Sequence, residues 1–532
     1  MPGSAVLEGA PARADAPGRT GPSPAPRPRR RFVAPGAGPA VVLVALTLIG
    51  AALRARELTT GGFFSDDAWV ALSSKVGLGT AWHMWATTPG FDFVLRTIMG
   101  IGPRTSWWAQ LLPFALGVAA VPLLYWAARR LGLGVRAGLA LAAMICINQI
   151  AIIYSGRLKE YSADFVLSCV LVVLAEAVRR RPERKEILTF GLVSVGAFAT
   201  SATLGLAVAG LWIGAVLPAL RRPGTARRVV GATLAIGAAC AGVAGLFYRH
   251  LSPSLANFWR PFTISTASPH WAWVTTVNSA YRFYYHAVNL PFGGSEAMDI
   301  TVLSIAFAIW LLGATSGPAM RGPALVLVLA FAASAAHISP LGTGRTDEYL
   351  FPVALVCGAF GARRVWRWVA PRASAVRTPL VVAACTLWCV IALFGFGSVP
   401  TYPVTDVGSL ATAIARQQEP GDHIVVGEVL RYPWAYYEDA APHIVLGPDW
   451  SAGFTVRSTK SDTFIAPSED YELDSHPVRW AAAMAPYHRL WFVYPTSLAS
   501  NPLYGALVAD GWHGVETIHG RGCGAILLER TA

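Results

Sequence analysis

Residues 40–57 read "AVVLVALTLIGAALRARE", and residues 61–69 read "GGFFSDDAW". The first stretch is apolar and close to the length of about 20 residues that crosses the hydrocarbon core of a bilayer. The second stretch places two adjacent carboxylates, Asp66 and Asp67, among aromatic side chains. A single Asp at the centre of a membrane helix costs about 2.5–3.5 kcal/mol on insertion scales. Both carboxylates are therefore expected at or outside the membrane interface.

The composition predicts a membrane protein with many spans. Of the 532 residues, 54% are hydrophobic and only 14% are charged, and the mean hydropathy is +0.46. A soluble protein of this size needs more charge to cover its surface. The net charge of +13 does not indicate nucleic-acid binding, because the arginines cluster in short loops between apolar runs, where they set membrane topology.

The apolar runs predict eleven transmembrane helices. They lie near 39–54, 108–128, 136–155, 162–178, 187–202, 203–220, 229–248, 299–316, 322–340, 349–363 and 378–397. With this count every Arg-rich connection, including "RRRPERK" at 179–185, falls on the side of the N-terminus. The positive-inside rule makes that side cytoplasmic. The acidic pair and the segment after 398 then face away from the cytoplasm.

The chain divides into three parts by composition. Residues 1–38, rich in Pro, Ala, Gly and Arg, are expected to form a disordered basic cytoplasmic tail. Residues 39–398 carry the spans and two long external loops, 55–107 and 249–298. Residues 399–532 alternate helical stretches with strand-like runs at 423–430, 443–448, 489–495 and 524–530, which predicts a small extracytoplasmic α/β domain with a partly parallel sheet.

The acidic pair allows two interpretations. Asp66 and Asp67 are good residues for capping a short interfacial helix. Alternatively, one carboxylate accepts a proton from an attacking hydroxyl, and the second orients it. The tryptophans of the same loop, such as Trp82 and Trp107, are typical of a membrane interface and do not distinguish the two.

Cations in three other external segments favour the catalytic interpretation. "YSGRLKEYS" at 154–162 carries Arg157 and Lys159, and "GTGRTDEYLFP" at 342–352 carries Arg345. The loop 249–298 adds Arg260 and Arg282. Such cations either extend to lipid headgroups or clamp an anionic group such as a lipid phosphate. Convergence of charges from four segments on one interface indicates a site for an anionic lipid.

These motifs resemble the GT-C superfamily of integral-membrane glycosyltransferases, in particular the branch with protein O-mannosyltransferases and the lipid A aminoarabinose transferase. Its members carry an Arg near the end of the first span and an Asp-Glu pair in the first external loop; Arg54, Asp66 and Asp67 stand at these positions. The "YSxxxRxY"-like exit from the third span is matched by Tyr161, with Lys159 at the Arg position. The later "RYxxP" motif keeps Tyr349, but Glu348 replaces its Arg, so that Arg345 is expected to substitute.

The resemblance implies transfer of a sugar from a polyprenyl-phosphate donor to a hydroxyl of a cell-envelope glycan, lipid or protein, with inversion, on the outer face of the plasma membrane. It implies catalysis by Asp66 and Asp67 and phosphate binding by the cations Arg157, Lys159 and Arg345. Further substrate contacts are assigned to Arg54, Tyr161, Arg260, Arg282 and Tyr349. A divalent metal stays open, since the Asp pair alone supplies too few ligands. A transporter or a non-catalytic assembly protein for lipid-linked sugars is the alternative.

Overall fold

The computed structural model describes most of the chain. The described residues are 37–58, 62–63, 65–84, 88–103, 105–221, 224–248, 257–288, 296–371, 405–438, 442–447, 453–465, 476–495, 497–499 and 501–531. The predicted tail up to residue 36 and the predicted eleventh span, 378–397, lie outside these ranges.

Helices dominate the chain up to residue 371. They are α1 (Ala37–Ala55), α2 (Ser65–Ser73), α3 (Leu78–Ala81), α4 (Pro89–Ile101), α5 (Ser106–Leu131), α6 (Val135–Cys146), α7 (Gln149–Ile153), α8 (Tyr161–Arg180), α9 (Arg184–Thr200), α10 (Leu204–Leu220), α11 (Ala226–Val243), α12 (Pro269–Val288), α13 (Glu296–Ala314), α14 (Arg321–Ala335) and α15 (Phe351–Val369).

Five helical stretches among the described residues are long and apolar enough to cross a membrane: Ala37–Ala55, Ser106–Leu131, Tyr161–Arg180, Ala226–Leu246 and Pro318–Ala335. A sixth is obtained if α6 and α7, bent by 60° at their junction, form one span. The predicted class, mostly helical with membrane-length apolar helices and a small C-terminal sheet, is confirmed. The count of eleven spans is not confirmed. One reason is that α9 and α10 have 17 residues each, about 26 Å at 1.5 Å per residue.

The bend between α6 and α7 is stabilised by two polar side chains. Asn148 accepts a hydrogen bond from the Ala151 N–H at 2.9 Å, which caps α7, and its amide donates to the His286 carbonyl at 2.8 Å. Arg54 of α1 donates to the carbonyls of Cys146 and Ile145 at the end of α6, at 3.2 and 2.9 Å. Carbonyls left open by a helix end need such partners. The bend directs the chain into the 154–160 turn.

The C-terminal region, residues 405–531, is an α/β unit. Its helices are α16 (Val407–Gln417), α17 (Arg431–Glu438), α18 (Pro477–Met484) and α19 (Pro502–Ala509). Its strands are β1 (His423–Val426), β2 (His443–Leu446), β3 (Phe454–Arg457), β4 (Thr463–Ile465), β5 (Arg489–Pro495), β6 (Trp512–Gly520) and β7 (Cys523–Arg530). The larger sheet has the order β4-β1-β5-β7-β6. Strand β1 is parallel to both β4 and β5, so the partly parallel sheet is confirmed. The sequence prediction missed β3, β4 and β6.

This region packs on the loop segment 55–107. Phe63 and Thr405 form an antiparallel bridge, and the Thr405 hydroxyl donates to the Phe63 carbonyl at 2.7 Å. Helix α17 packs on α2, and the Phe63 and Tyr436 rings meet edge to face at 5.0 Å. The C-terminal region therefore contacts the helix that carries Asp66 and Asp67.

The loop itself is tied together by Asp92 of α4, which accepts a hydrogen bond from Ser73 of α2. Burial raises the pKa of Asp92 to about 6, although Ser73 and Arg96 oppose the rise. Because its pKa is raised in the folded state, Asp92 stays protonated in the folded protein at pH values where it is ionised in the unfolded chain. The free energy of unfolding therefore falls as the pH rises from about 4 to 6.

We expect Asp92→Asn to raise the melting temperature of the purified protein at pH 7 and to change it little at pH 4. The Asn side chain still accepts from Ser73 and never has to ionise. Thermal unfolding of both proteins across this pH range provides the measurement. A difference that stays constant with pH would contradict the raised pKa.

Candidate active site

The acidic pair lies in the first turn of α2, where the helix dipole favours negative charge. The two carboxylates have different surroundings. The Asp67 side chain is 2% exposed, whereas that of Asp66 is 24% exposed. Only the second is open to an incoming group to an appreciable extent.

Asp67 is bound to the turn after α7. Its Oδ2 lies 3.3 Å from Arg157 Nε, and its Oδ1 accepts from the Leu158 N–H at 2.9 Å. Burial raises the pKa of Asp67 and Asp66 adds to the rise, while Arg157, the Leu158 N–H and Lys159 oppose it. A buried pair with this second hydrogen bond fixes the turn against α2. Asp67 thus holds Arg157 in place.

Asp66 faces a different cation. Its Oδ2 lies 3.4 Å from Arg345 Nη1, 279 residues further along the chain. The Arg345 guanidinium also lies over the rings of Trp259, at 4.5 Å from the centroid, and Phe258, at 5.9 Å. These contacts bring the segments around 66, 258 and 345 together.

The turn that carries Arg345 is built around Asp347. One carboxylate oxygen of Asp347 accepts from the Gly342 N–H and the other from the Thr343 hydroxyl, both at 2.9 Å. Gly342 and Gly344 have φ of +80° and +76°. A Cβ on Gly342 would lie 2.6 Å from the Ser279 carbonyl oxygen of α12. Only glycine fits such a conformation at so close an approach, so the position of Arg345 is set by the turn and by α12.

Lys159 also lies against α2. Its ammonium nitrogen is 5.4 Å from the centroid of the Trp69 ring. Two residues further along the chain, Tyr161 packs edge to face on Tyr154, with ring centroids 4.9 Å apart. Tyr161 is 8% exposed and is within electrostatic range of Arg345 and Asp66.

The other predicted substrate contacts are placed less favourably. Arg54 is fully buried and donates to backbone carbonyls, and Tyr349 is 1% exposed within the helical core. Both contribute to packing in the described chain. Arg260 is exposed in a short turn beside Trp259. Arg282 lies against the turn of Arg345, because a Cβ on Gly342 would be 3.1 Å from Arg282 Cβ.

Sequence analysis missed two aromatic residues at the site. Trp259 stacks with Arg345, and Trp69 stacks with Lys159. Tryptophan is ordinary near a membrane interface, so the sequence contains no signal that separates these two from the others.

Chemically, the arrangement offers one accessible carboxylate bordered by cations. Asp66 is within reach of solvent, Arg157 and Arg345 are each fixed by a carboxylate, and Lys159 lies nearby. The described residues contain no group of three or more His, Cys, Asp or Glu side chains that could hold a metal ion. Such cations attract an anionic group, and an accessible carboxylate can accept a proton.

Comparison with known proteins returns solved structures. ArnT from Cupriavidus metallidurans in the apo state matches at 14% identity and a TM-score of 0.49, over 92% of this chain and 98% of that one. ArnT from the same organism bound to undecaprenyl phosphate matches at 13% identity and 0.49, over 93% and 98%. The apo oligosaccharyltransferase of Archaeoglobus fulgidus matches at 11% and 0.44, over 85% and 69%. No family model and no curated protein matches the chain.

Both proteins are GT-C glycosyltransferases, in agreement with the resemblance seen in the sequence. All three TM-scores are below 0.5 and the identities do not exceed 14%. We therefore base the function on the contacts of this chain's own residues.

Proposed function

We propose that this protein is an integral-membrane glycosyltransferase. It transfers a sugar from a polyprenyl-phosphate donor to a hydroxyl of a cell-envelope glycan, lipid or protein. The reaction takes place on the extracytoplasmic face of the plasma membrane, and the N-terminus is cytoplasmic. The C-terminal α/β region lies on the same face as the reaction, since it packs on the loop of the acidic pair.

The observation that carries the proposal is the division of the acidic pair between two cations from distant segments. Asp67 is buried on Arg157, and Asp66 meets Arg345 while keeping about a quarter of its side chain exposed. A pair that only capped a helix would not require either arginine. These contacts support Asp66 as the reactive carboxylate, with Arg345 beside it and Arg157 against the adjacent Asp67.

The chemistry follows from these positions. The acceptor oxygen attacks the anomeric carbon as its proton passes to Asp66. The bond between that carbon and the phosphate oxygen breaks, and polyprenyl phosphate leaves with the electron pair. Arg157, Lys159 and Arg345 stabilise the charge that grows on the leaving phosphate, and fixed cations in a water-poor site do so strongly. Direct attack opposite the phosphate inverts the anomeric centre.

The test is sugar transfer by the purified full-length protein in lipid. A panel of radiolabelled polyprenyl-phosphate sugars is offered with crude cell-envelope acceptor. We expect one donor to be consumed and its label to appear in the acceptor. Donor that binds without transfer, in the presence of acceptor from several sources, would contradict the enzyme and favour a transporter for lipid-linked sugars.

A variant of Arg345 tests the phosphate contact. We expect Arg345→Gln to raise the KM for the donor about 10- to 100-fold, because a hydrogen bond to a charged group contributes about 1.5–3 kcal/mol. Arg345→Lys keeps the charge but loses the planar group that stacks on Trp259, so a smaller increase is expected.

The matched control is Arg364→Gln, since Arg364 also lies over a tryptophan ring, Trp368, at 5.5 Å. It is on α15, outside the site, and should leave KM unchanged. Equal effects of the two Gln variants would remove Arg345 from donor binding.

A further inference from the structure

Trp69 of α2 contacts both the candidate active site and the C-terminal region. The Lys159 ammonium lies 5.4 Å from the centroid of its ring. Tyr432 of α17 meets the same ring nearly edge to face, with centroids 5.4 Å apart and planes at 73°. A cation of the site and a residue of the C-terminal region thus share one indole ring.

Tyr432 is itself firmly placed. It is 1% exposed, its hydroxyl donates to the Phe454 carbonyl at 3.0 Å, and its ring packs on the Phe454 ring at 5.4 Å. Helix α17 is further tied to α2 by Lys75, whose ammonium lies 4.2 Å from the centre of the Tyr436 ring. The C-terminal region therefore sets the orientation of the Trp69 ring.

The ring face, and not the indole N–H, is what Trp69 contributes. Its N–H is buried and has no hydrogen-bond partner among the described residues. An aromatic face attracts an ammonium group, and tryptophan does so best. Lysine ends in a point charge on a flexible four-carbon stem, so such a face restricts where the charge of Lys159 lies.

We propose that Trp69 is a positioning residue through which the C-terminal region aims Lys159 at the donor phosphate. The inference rests on the proposed function, because it assigns Lys159 to that phosphate. Tyr432 of the C-terminal region fixes the orientation of the Trp69 ring, and that ring fixes the position of the Lys159 ammonium. The C-terminal region thereby contributes to donor affinity.

The test is binding of radiolabelled undecaprenyl phosphate to the full-length protein in phosphatidylcholine nanodiscs. We expect Trp69→Ala and Tyr432→Leu to weaken binding about 3- to 10-fold, the range of a single cation–π contact. Trp69→Phe, which keeps a weaker aromatic face, should recover most of the affinity. Trp82→Ala is the matched control, because it removes another tryptophan of the same loop, one whose surface is 42% exposed.

The decisive comparison repeats these substitutions in a Lys159→Ala background. If Trp69 acts through Lys159, neither Trp69→Ala nor Tyr432→Leu weakens binding further once the ammonium is gone. A loss of the same size in that background would overturn the inference while leaving the proposed function intact. Tyr432→Leu leaves the sequence of α2 unchanged, so it carries the comparison if Trp69→Ala does not fold.

A different result would contradict the proposed function. If Lys159→Ala and Arg345→Gln both bind the lipid phosphate as tightly as the wild type, these cations do not hold it. That outcome overturns the phosphate site and, with it, the role of Trp69.

Discussion

Asp66→Asn is expected to lower the rate of sugar transfer by about 10²- to 10⁴-fold, the contribution of a well-placed general base. The amide has the same shape as the carboxylate and cannot accept the acceptor's proton. Donor binding should be retained or slightly tightened, because the substitution removes a negative charge next to the place assigned to the phosphate. The measurement is kcat together with the donor Kd for both proteins.

Asp510→Asn is the matched control for this variant. Asp510 is also ion-paired, with Arg530 at 3.2 Å, but it lies in the C-terminal region away from α2. Its rate should equal that of the wild type. A comparable fall in both variants would show that loss of a surface carboxylate, not of the base, slows the protein.

Arg157→Gln is expected to cost about 3–5 kcal/mol of unfolding free energy, because it leaves Asp67 buried without its cation. It should also abolish most donor binding, since the 154–160 turn and Lys159 depend on this pair. Burial already raises the pKa of Asp67, and removing Arg157 raises it further. An Asp whose pKa is raised in the folded state lowers the free energy of unfolding more as the pH rises. The unfolding free energy lost in Arg157→Gln should therefore be larger at pH 8 than at pH 5.

The double variant Asp67→Asn with Arg157→Gln separates the two effects. It carries no charge at either position of the pair, and its melting temperature should exceed that of Arg157→Gln alone at pH 8. Donor binding should stay weak in both, because the cation is missing in each. If the double variant melts lower than Arg157→Gln, the pair does not act as an ion pair.

The sequence singled out the candidate residues of the site, but it did not contain their contacts in the fold. Asp66 and Asp67 stood out because two adjacent carboxylates lie among aromatic residues, a few positions after an apolar run of membrane length. That they divide between Arg345 and Arg157 depends on contacts across 279 and about 90 residues, which no local pattern contains. Two adjacent Asp residues therefore look equivalent in sequence, while in the fold one is accessible and the other is buried.

The predicted third span, which is bent in the structure, is a second feature that depends on contacts distant in the sequence. The stretch 136–155 is almost uniformly apolar, and a uniform run predicts one straight helix. The bend at Asn148 depends on the His286 carbonyl, 138 residues away, and on Arg54 reaching the end of α6. Arg54 itself was assigned to substrate by resemblance, and its described partners are backbone carbonyls. Strands β3 and β4 were missed because their sequences, FTVR and TFI, contain no run of three apolar residues such as the IVV of β1 or the IVL of β2.

The most direct test of the central claim is a single turnover on prebound donor. Wild type and Asp66→Asn are loaded with the radiolabelled polyprenyl-phosphate sugar that the panel identifies, and acceptor is then added in excess. The account predicts that label moves to the acceptor from the wild type and stays on the lipid in the variant, with equal amounts of donor bound at the start. Equal transfer from both would contradict it, because Asp66 would then take no part in the reaction.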